Sequence, residues 1–193
     1  KIFRKMLKKA SWLKKNISNK KIKVLDASWY LPNSRRNAYE EYMKEHISNA
    51  FFFDIDKVAD NKKNLPHMLP NKKEFEIELS RMGINNNDIV IIYCKEGLLS
   101  SPRVWWTFYY FGHKNVFILD GGLKAWKLAG GRLTNIISSN KKSFYKCRHR
   151  NTKIITSYSE LYKKIKRKEK PLILDARPKA RFQKKEEEPR KNI

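Results

Sequence analysis

Cysteine is scarce in this chain of 193 residues, which contains only Cys94 and Cys147. Two cysteines cannot build the disulfide framework of a small secreted protein, so a reducing, cytoplasmic setting is the simpler expectation. Long apolar runs are absent too, and no stretch approaches the roughly 20 residues that a membrane-spanning helix needs. The basic N-terminal segment lacks the continuous apolar centre of a secretory signal. The sequence therefore predicts no membrane partner.

Acidic residues are few: 19 aspartates and glutamates stand against 44 lysines and arginines, which gives a net charge of +25. Such an excess indicates either an anionic partner or basic residues spread over solvated faces. The second interpretation is favoured, because the basic residues are scattered and no arginine–aromatic pattern or nucleic-acid motif occurs. We expect no nucleic-acid partner. Clustered metal ligands are also missing, so we expect neither a metal nor another cofactor.

The chain does contain enough apolar material for a packed core, with 40% hydrophobic and 12% aromatic residues. Its length allows one domain and part of another. Predicted strands and helices alternate, which is typical of an α/β fold with a mainly parallel sheet flanked by helices. A further surface helix is predicted from the helical spacing of apolar residues between Phe3 and Leu13. The predicted strands lie at 23–26, 51–56, 88–93 and 115–120, and the predicted helices at 37–45, 72–83, 101–111 and 121–130.

The composition changes near residue 131, where a polar and basic stretch is typical of a linker. We divide the chain into an N-terminal domain (1–134), a linker (135–154) and the start of a second unit (155–193). The second unit repeats the opening order of helix, lysine-rich turn, apolar strand and aspartate, which indicates an internal repeat. A strand with no sheet to join cannot bury itself, so this unit is not expected to fold alone. Either the sequence is a fragment, or its tail is disordered.

Cys94 follows the most apolar predicted strand, at the carboxyl end where open α/β sheets bind ligands. The loop after it contains Gly97, which permits a tight curl. Ser101 is a candidate N-cap with Pro102 in the first helical position, so the loop amides are expected to turn toward the sulfur. Amides at the positive end of a helix stabilise a thiolate or a persulfide. The alternative is an inert thiol packed as a small hydrophobe.

A set of motifs resembles the rhodanese superfamily, and in particular its tandem-domain thiosulfate and 3-mercaptopyruvate sulfurtransferases. The resemblance runs over nearly the whole chain, and it is the set rather than any single motif that is specific. It implies a rhodanese-like domain followed by the start of a second copy. The motifs are VLDASWYLP, RRNAYEEYMKEHI, FFFDID, HMLP, SPRVWW, FGHKNV and LDGGLKAW in the first unit, and LDAR, ARF and EEEPR in the second.

The resemblance implies an enzyme that moves a sulfane sulfur from 3-mercaptopyruvate or thiosulfate to a thiol or cyanide through a cysteine persulfide. In the tandem enzymes the working cysteine normally lies in the second domain, and the first domain usually has an acidic residue at the position of Cys94. Single-domain members carry Cys-x-x-Gly-x-Arg, but Leu99 stands where that arginine would be, although Arg103 is close in sequence. The active-site-like loop consists of Lys95, Glu96, Gly97, Leu98, Leu99 and Ser100.

The resemblance also implies two groups of supporting residues. Arg181 and Arg190 match the arginines that bind the carboxylate and carbonyl of mercaptopyruvate, a task that suits the planar fork of a guanidinium. Asp56 and His67 match an aspartate and a histidine proposed to act in proton transfer with a serine of the second domain. The implied partners are a small anionic sulfur donor and a thiol or cyanide acceptor.

Three interpretations of the chain stay open. It is the supporting domain and substrate-arginine segment of a tandem sulfurtransferase, or a self-sufficient single-domain rhodanese that uses Cys94, or a catalytically silent rhodanese-like binding module. The spacing argues against a protein phosphatase of related fold, because those enzymes need Cys-x5-Arg. Counted from Cys94, the position of that arginine is occupied by Ser100.

Overall fold

The computed structural model of the chain describes residues 6–62, 65–139 and 141–187. The strands are β1 (Leu7–Lys8), β2 (Ile22–Asp26), β3 (His46–Ile47), β4 (Ala50–Phe52), β5 (Ile89–Tyr93), β6 (Val116–Leu119) and β7 (Leu133–Thr134). The helices are α1 (Ala10–Asn16), α2 (Ala38–Lys44), α3 (Lys72–Arg81), α4 (Ser101–Tyr110), α5 (Gly122–Leu128), α6 (Tyr158–Lys166) and α7 (Lys179–Phe182). None of the helices in the described ranges is both long and apolar enough to cross a bilayer.

Five strands form one parallel sheet in the order β1-β6-β5-β2-β4. The longest pairing joins β2 to β5, from Ile22 opposite Ile89 to Asp26 opposite Tyr93. The predicted α/β fold with a parallel sheet is therefore confirmed. A separate antiparallel pair, β3 with β7, was not predicted, because strands of two residues leave no periodic signal in the sequence.

Helices cover both faces of this sheet, as a parallel sheet requires. Successive side chains of β5 point to opposite faces. Val90 and Ile92 enter the apolar cluster under α3 and α4, whereas Ile91 and Tyr93 enter the cluster under α1 and α5. All four are fully buried, and burying a side chain of this size contributes about 1.5–3 kcal/mol. The sheet is thus a rigid support for the loops at its edges.

The start of the chain differs from the predicted helix. Leu7 and Lys8 form β1, which adds to the sheet edge with Leu7 opposite Ile118, and α1 begins only at Ala10. The helical spacing of apolar residues therefore corresponds to a helix only from Ala10 onward. Leu7 and Lys8 are extended because they pair with the outer edge of β6. Phe3, the first residue of that spacing, lies outside the described residues.

The predicted linker contains a segment that packs on the N-terminal domain, residues 141–151, which we call the strap. Tyr145 and Cys147 are buried in the same apolar cluster as Phe75 of α3. The backbone N–H of Cys147 donates to Glu76 Oε1 at 2.9 Å. Burial, together with the nearby charge of Glu76, raises the pKa of the Cys147 thiol to about 12. Cys147 is therefore part of the core of the domain.

Beyond the strap, helix α6 begins with a capping box in which Ser157 and Glu160 satisfy each other's backbone N–H groups. Residues 167–178 form neither helix nor strand. Leu172 and Leu174 are 88% and 83% exposed, because no strand in the described part of the chain lies beside them. This apolar run is therefore unpaired among the described residues, and its assignment to a second unit stays a prediction.

Candidate active site

Three loops that carry candidate site residues leave the sheet at the same edge. Strands β2, β4 and β5 are neighbours and run parallel, so their carboxyl ends lie side by side. Trp29 follows β2, Asp56 follows β4, and Cys94 follows β5 directly. A parallel sheet brings such residues together although they are far apart in sequence.

Cys94 is buried at this edge, with its sulfur facing oxygen atoms. Its Sγ–H donates to the carbonyl oxygen of Gly97 at 3.2 Å, and the Ser101 hydroxyl lies at 3.8 Å. The Lys95 amide donates to the hydroxyl of Ser28 instead. Among the described residues no backbone amide hydrogen-bonds the sulfur, so the expected ring of amides is not found. The nearest hydrogen-bonding groups of the sulfur are thus a carbonyl oxygen and a hydroxyl.

Two glycines fix the path of this loop. Gly97 has a φ of 68°, the left-handed conformation expected where the loop curls. Gly122, at the start of α5, has a φ of 55°, and a Cβ atom there would lie 2.4 Å from the carbonyl oxygen of Cys94. The carbonyl oxygens of Cys94 and Gly97 therefore lie close against the start of α5, where only a glycine fits.

The entry into α4 also differs from the prediction. The helix begins at Ser101 itself, with Ser100 in the N-cap position, and Ser100 makes no capping bond. Its hydroxyl donates to the carbonyl oxygen of Ala27 at 2.6 Å, which ties this loop to the one after β2. Pro102 is the second helical residue rather than the first. The serine next to the helix thus holds two loops together and leaves the helix end uncapped.

The charged side chains of the Cys94 loop are occupied by neighbours. Lys95 Nζ donates to the carbonyl oxygen of Glu41 at 2.9 Å and lies 3.5 Å from its carboxylate. Arg36 bridges Glu41 and Glu96, and Tyr30 donates to Glu41 at 2.8 Å. The guanidinium of Arg36 is the main reason that the pKa of Glu41 falls to about 2. Lys95 is therefore engaged by an internal carboxylate.

At the tip of the loop, Leu98 and Leu99 are both exposed. Leu99 is the position at which the resemblance implies an arginine in single-domain members. The tip is thus apolar, and the nearby Arg103 points elsewhere, since its guanidinium donates to the carbonyl oxygen of His67 and lies over the ring of Trp106.

Asp56 and His67 do come together. His67 Nε2 lies 2.6 Å from Asp56 Oδ1, and the Trp29 indole N–H donates to Asp56 Oδ2 at 3.0 Å. The Trp29 ring and the imidazole pack in a T-shaped arrangement, with centroids 4.8 Å apart. His67 has a φ of 55°, and Arg103 holds its carbonyl oxygen. Trp29 therefore orients the pair through the carboxylate of Asp56, and Arg103 orients it through the backbone of His67.

Trp29 was missed as a site residue in the sequence, although it lies in the motif VLDASWYLP. The signal that marks it is the position three residues beyond a buried aspartate, Asp26, at a strand end. Asp26 accepts a hydrogen bond from the Ser28 amide at 2.9 Å, which fixes the turn that presents Trp29. Burial raises the pKa of Asp26, and its Oδ2 has no hydrogen-bond partner among the described residues.

The two predicted substrate arginines lie in the second unit. Arg181 is in α7, and Arg190 falls outside the described residues. Their pairing across one ligand therefore stays a prediction. No group of three or more potential metal ligands occurs in the part of the chain that the structure describes.

Comparison with known proteins identifies the family to which this fold belongs. The sequence profile of the rhodanese-like domain family matches residues 9–129. The chain belongs to this family. The match covers β2 and β4 to β6 of the parallel sheet, the loop after Cys94 and the Asp56–His67 pair.

Three relatives show how far the likeness extends. The thiosulfate/3-mercaptopyruvate sulfurtransferase 1, mitochondrial, of Arabidopsis thaliana is 47% identical over 119 residues, which are 62% of this chain and 31% of the relative. The 3-mercaptopyruvate sulfurtransferase of Escherichia coli K12 is 32% identical over 190 residues, covering 95% of this chain and 65% of the relative. The crystal structure of SseA from Escherichia coli, described as a 3-mercaptopyruvate sulfotransferase, superposes with a TM-score of 0.84 at 32% identity, over 92% of this chain and 67% of that one. The chain thus spans about a third to two thirds of these relatives.

Proposed function

We propose that this chain is the supporting rhodanese domain, with the substrate-arginine segment, of a sulfurtransferase that uses 3-mercaptopyruvate or thiosulfate. The observation that carries the proposal is the Asp56–His67 pair, held in one orientation by Trp29 on a rhodanese-like domain. The identity to named sulfurtransferases supports it further. The sulfur carrier of the proposed enzyme is a cysteine of a second rhodanese unit.

The proposed reaction has two steps. The carrier thiolate attacks the donor sulfur, so that a new S–S bond forms while the C–S bond of 3-mercaptopyruvate, or the S–S bond of thiosulfate, breaks. The bonding electrons leave with pyruvate enolate, which takes up a proton, or with sulfite. A thiol or cyanide then attacks the outer sulfur of the persulfide and releases the carrier thiolate. No net oxidation of the protein occurs over the cycle.

In this reaction His67 is the residue suited to move the proton. Its Nε2 lies 2.6 Å from Asp56, and a carboxylate that orients an imidazole suits it to general acid–base work. Arg181 and Arg190 are proposed to bind the carboxylate of the donor through paired hydrogen bonds. The small anionic donor and the thiol or cyanide acceptor are the only partners that this reaction requires.

Cys94 is proposed not to carry the transferred sulfur. Its hydrogen goes to a carbonyl oxygen, Lys95 is engaged by Glu41, and the loop tip carries Leu99 instead of a guanidinium. A persulfide anion at this position would meet the Gly97 carbonyl without a charge to offset the repulsion. The self-sufficient single-domain enzyme is therefore the second candidate.

The test begins with the messenger RNA that encodes this chain, read through and beyond the codon for Ile193. The encoded protein is assayed for sulfur transfer from each donor to cyanide and to a thiol. We expect activity with at least one donor, a fall of about 10²–10⁴-fold in Asp56→Asn and His67→Gln, and little change in Cys94→Ser. No transfer from either donor would overturn the proposal in favour of a silent binding module. Loss of activity in Cys94→Ser, with sulfur found on Cys94 by mass spectrometry, would establish the self-sufficient enzyme instead.

We also propose a cytoplasmic location, since both cysteines are free and the family reaction uses thiolates. The name of the Arabidopsis relative places that protein in mitochondria. Cell fractionation followed by immunoblotting decides between the two, and recovery of the protein with mitochondria would show the cytoplasmic assignment to be wrong.

A further inference from the structure

A groove of about 930 Å³ lies away from the Cys94 loop, beside the start of β2. Its walls are the end of α1 on one side and the segment after β7 on the other. None of its lining residues belongs to the Cys94 loop or to the Asp56–His67 pair. The volume is at the upper end of the range of small-molecule sites.

The charge of this groove has one sign. Its lining contains Lys14, Lys20, Lys23 and Arg132, and it contains no aspartate or glutamate. We call these four residues and the space between them the basic groove. Within the described ranges, none of the four forms an ion pair with a carboxylate, whereas Lys95, Lys127 and Lys146 elsewhere do. The groove thus concentrates positive potential that the protein itself does not neutralise.

The sequence explains this concentration. Residues 1–25 and 121–159 contain no acidic residue, and the charged groove residues come from these two segments. The fold brings the two segments together, because α1 and α5 pack on the same face of the sheet. The excess of +25 is therefore not spread evenly, and part of it converges on a concave surface.

The groove has a fixed framework. The carbonyl oxygen of Arg132 accepts hydrogen bonds from the Trp126 indole at 3.1 Å and from the Ser48 amide at 3.3 Å. Lys14 Nζ donates to the carbonyl oxygen of Ala129 at 2.8 Å. These contacts hold the backbone of one wall against α1 and α5. A ligand would meet walls that are already in place, which lowers the entropic cost of binding.

The side chains of the lining favour a small phosphorylated molecule over single-stranded nucleic acid. Ile136 and Ile137 are exposed at the rim and Phe51 is half-buried, so apolar surface lies beside the cations. Trp126 is buried and so offers no face for stacking a series of bases. Single-stranded nucleic acid is bound through rows of exposed aromatic side chains. The groove therefore suits a small molecule that combines phosphate groups with one apolar or aromatic part.

We propose that the basic groove binds an organic polyphosphate of nucleotide size, with its phosphates on Lys20, Lys23 and Arg132 and its organic part against Phe51 and Ile136. This site is separate from the proposed sulfur chemistry. If the groove did not bind a polyphosphate, the proposed sulfurtransferase function would be unaffected. Failure of the proposed function would likewise not affect binding in the groove.

The probe is ATP without divalent cations, titrated into the ¹⁵N-labelled chain at about 0.15 M ionic strength. We expect saturable shifts of the amides around Lys20, Lys23, Asn49 and Arg132, and none on addition of adenosine. The triple variant Lys20→Gln, Lys23→Gln, Arg132→Gln should bind ATP about tenfold more weakly or worse. Lys14 is left in place because its ammonium supports Ala129.

The matched control is a second triple variant that removes three positive charges at exposed positions outside the groove. Its substitutions are Lys73→Gln, Lys114→Gln and Lys163→Gln. It should keep the affinity within about twofold. Equal weakening in both variants would show that binding follows net charge alone and would overturn the site. So would shifts that map elsewhere, or a single-stranded RNA that fills the groove when ATP does not. Lys20→Gln alone, at a fully solvated position, serves if the triple variant does not fold.

Discussion

At the scale of single residues, Trp29 is the side chain that contacts both members of the Asp56–His67 pair. Its N–H fixes one oxygen of Asp56 while the other oxygen meets His67, and its ring limits rotation of the imidazole. A carboxylate that is held at both oxygens presents one orientation to the histidine. We therefore assign Trp29 a positioning role that acts through Asp56.

Trp29→Phe keeps an aromatic ring and removes the indole N–H. We expect the imidazole of His67 to lose its single orientation, seen as broadening or a changed tautomer in its ring ¹⁵N resonances, with a stability loss of about 0.5–1.5 kcal/mol. The control is Trp105→Phe, which also loses an indole hydrogen bond, to the carbonyl oxygen of Val116 at 3.0 Å. Identical His67 spectra in Trp29→Phe and the wild-type chain would refute the positioning role.

At the scale of elements, the strap behaves as part of the N-terminal domain. It is an extended segment with no regular structure, yet Tyr145 lies in the core against Phe75, and Asn86 and Ser80 hold its backbone. The residue next to Tyr145, Phe144, is 78% exposed. The domain is thus completed by a segment that follows its last strand, β7, in sequence.

Tyr145→Ala removes a fully buried ring from this packing. We expect a loss of about 3–5 kcal/mol in the free energy of unfolding, as for other large aromatic side chains in cores. Phe144→Ala, the control at the adjacent and exposed position, should change it by less than about 1 kcal/mol. Urea unfolding followed by tryptophan fluorescence measures both. Equal effects of the two substitutions would mean that the strap does not pack as described.

At the scale of the whole molecule, the charge balance makes the few acidic residues important. Glu41 is shared by Arg36, Tyr30 and Lys95, and through them it links α2 to the loops after β2 and β5. Its pKa in the folded chain is about 2, below its ordinary value of 4.5. The carboxylate form therefore stabilises the fold above about pH 4.5, and this stabilisation is lost as the pH falls toward 2.

Arg36→Gln removes the main cause of that lowered pKa. We expect the variant to be less stable than the wild type at neutral pH and to lose less stability than the wild type between pH 4.5 and pH 2. Thermal unfolding followed by circular dichroism across this pH range tests the expectation. Lys57→Gln, which removes an exposed partner 3.8 Å from Glu78, is the control and should keep the wild-type slope. Parallel curves for Arg36→Gln and the wild type would contradict the role of the Arg36–Glu41 pair.

The sequence alone determined the parallel α/β sheet and the edge at which the chemistry is expected. Apolar runs such as Ile89–Tyr93 are long enough to signal a buried strand, and their order along the chain fixes where strand ends meet. The family resemblance further implied Asp56 and His67, which the structure places 2.6 Å apart. Hydrophobic patterning and motifs are local properties, so they can be read without coordinates.

Only the tertiary structure decided what surrounds Cys94, which residues orient the Asp56–His67 pair, and where the positive charge converges. The close contact of Gly122 with the Cys94 carbonyl, the reach of Trp29 to Asp56 and the burial of Tyr145 each join segments far apart in sequence. Such contacts depend on how helices and loops pack over the sheet. A sequence pattern indicates whether a segment is a helix or a strand, but it does not give the distance between two segments. Contacts between distant segments could therefore not be predicted from the sequence.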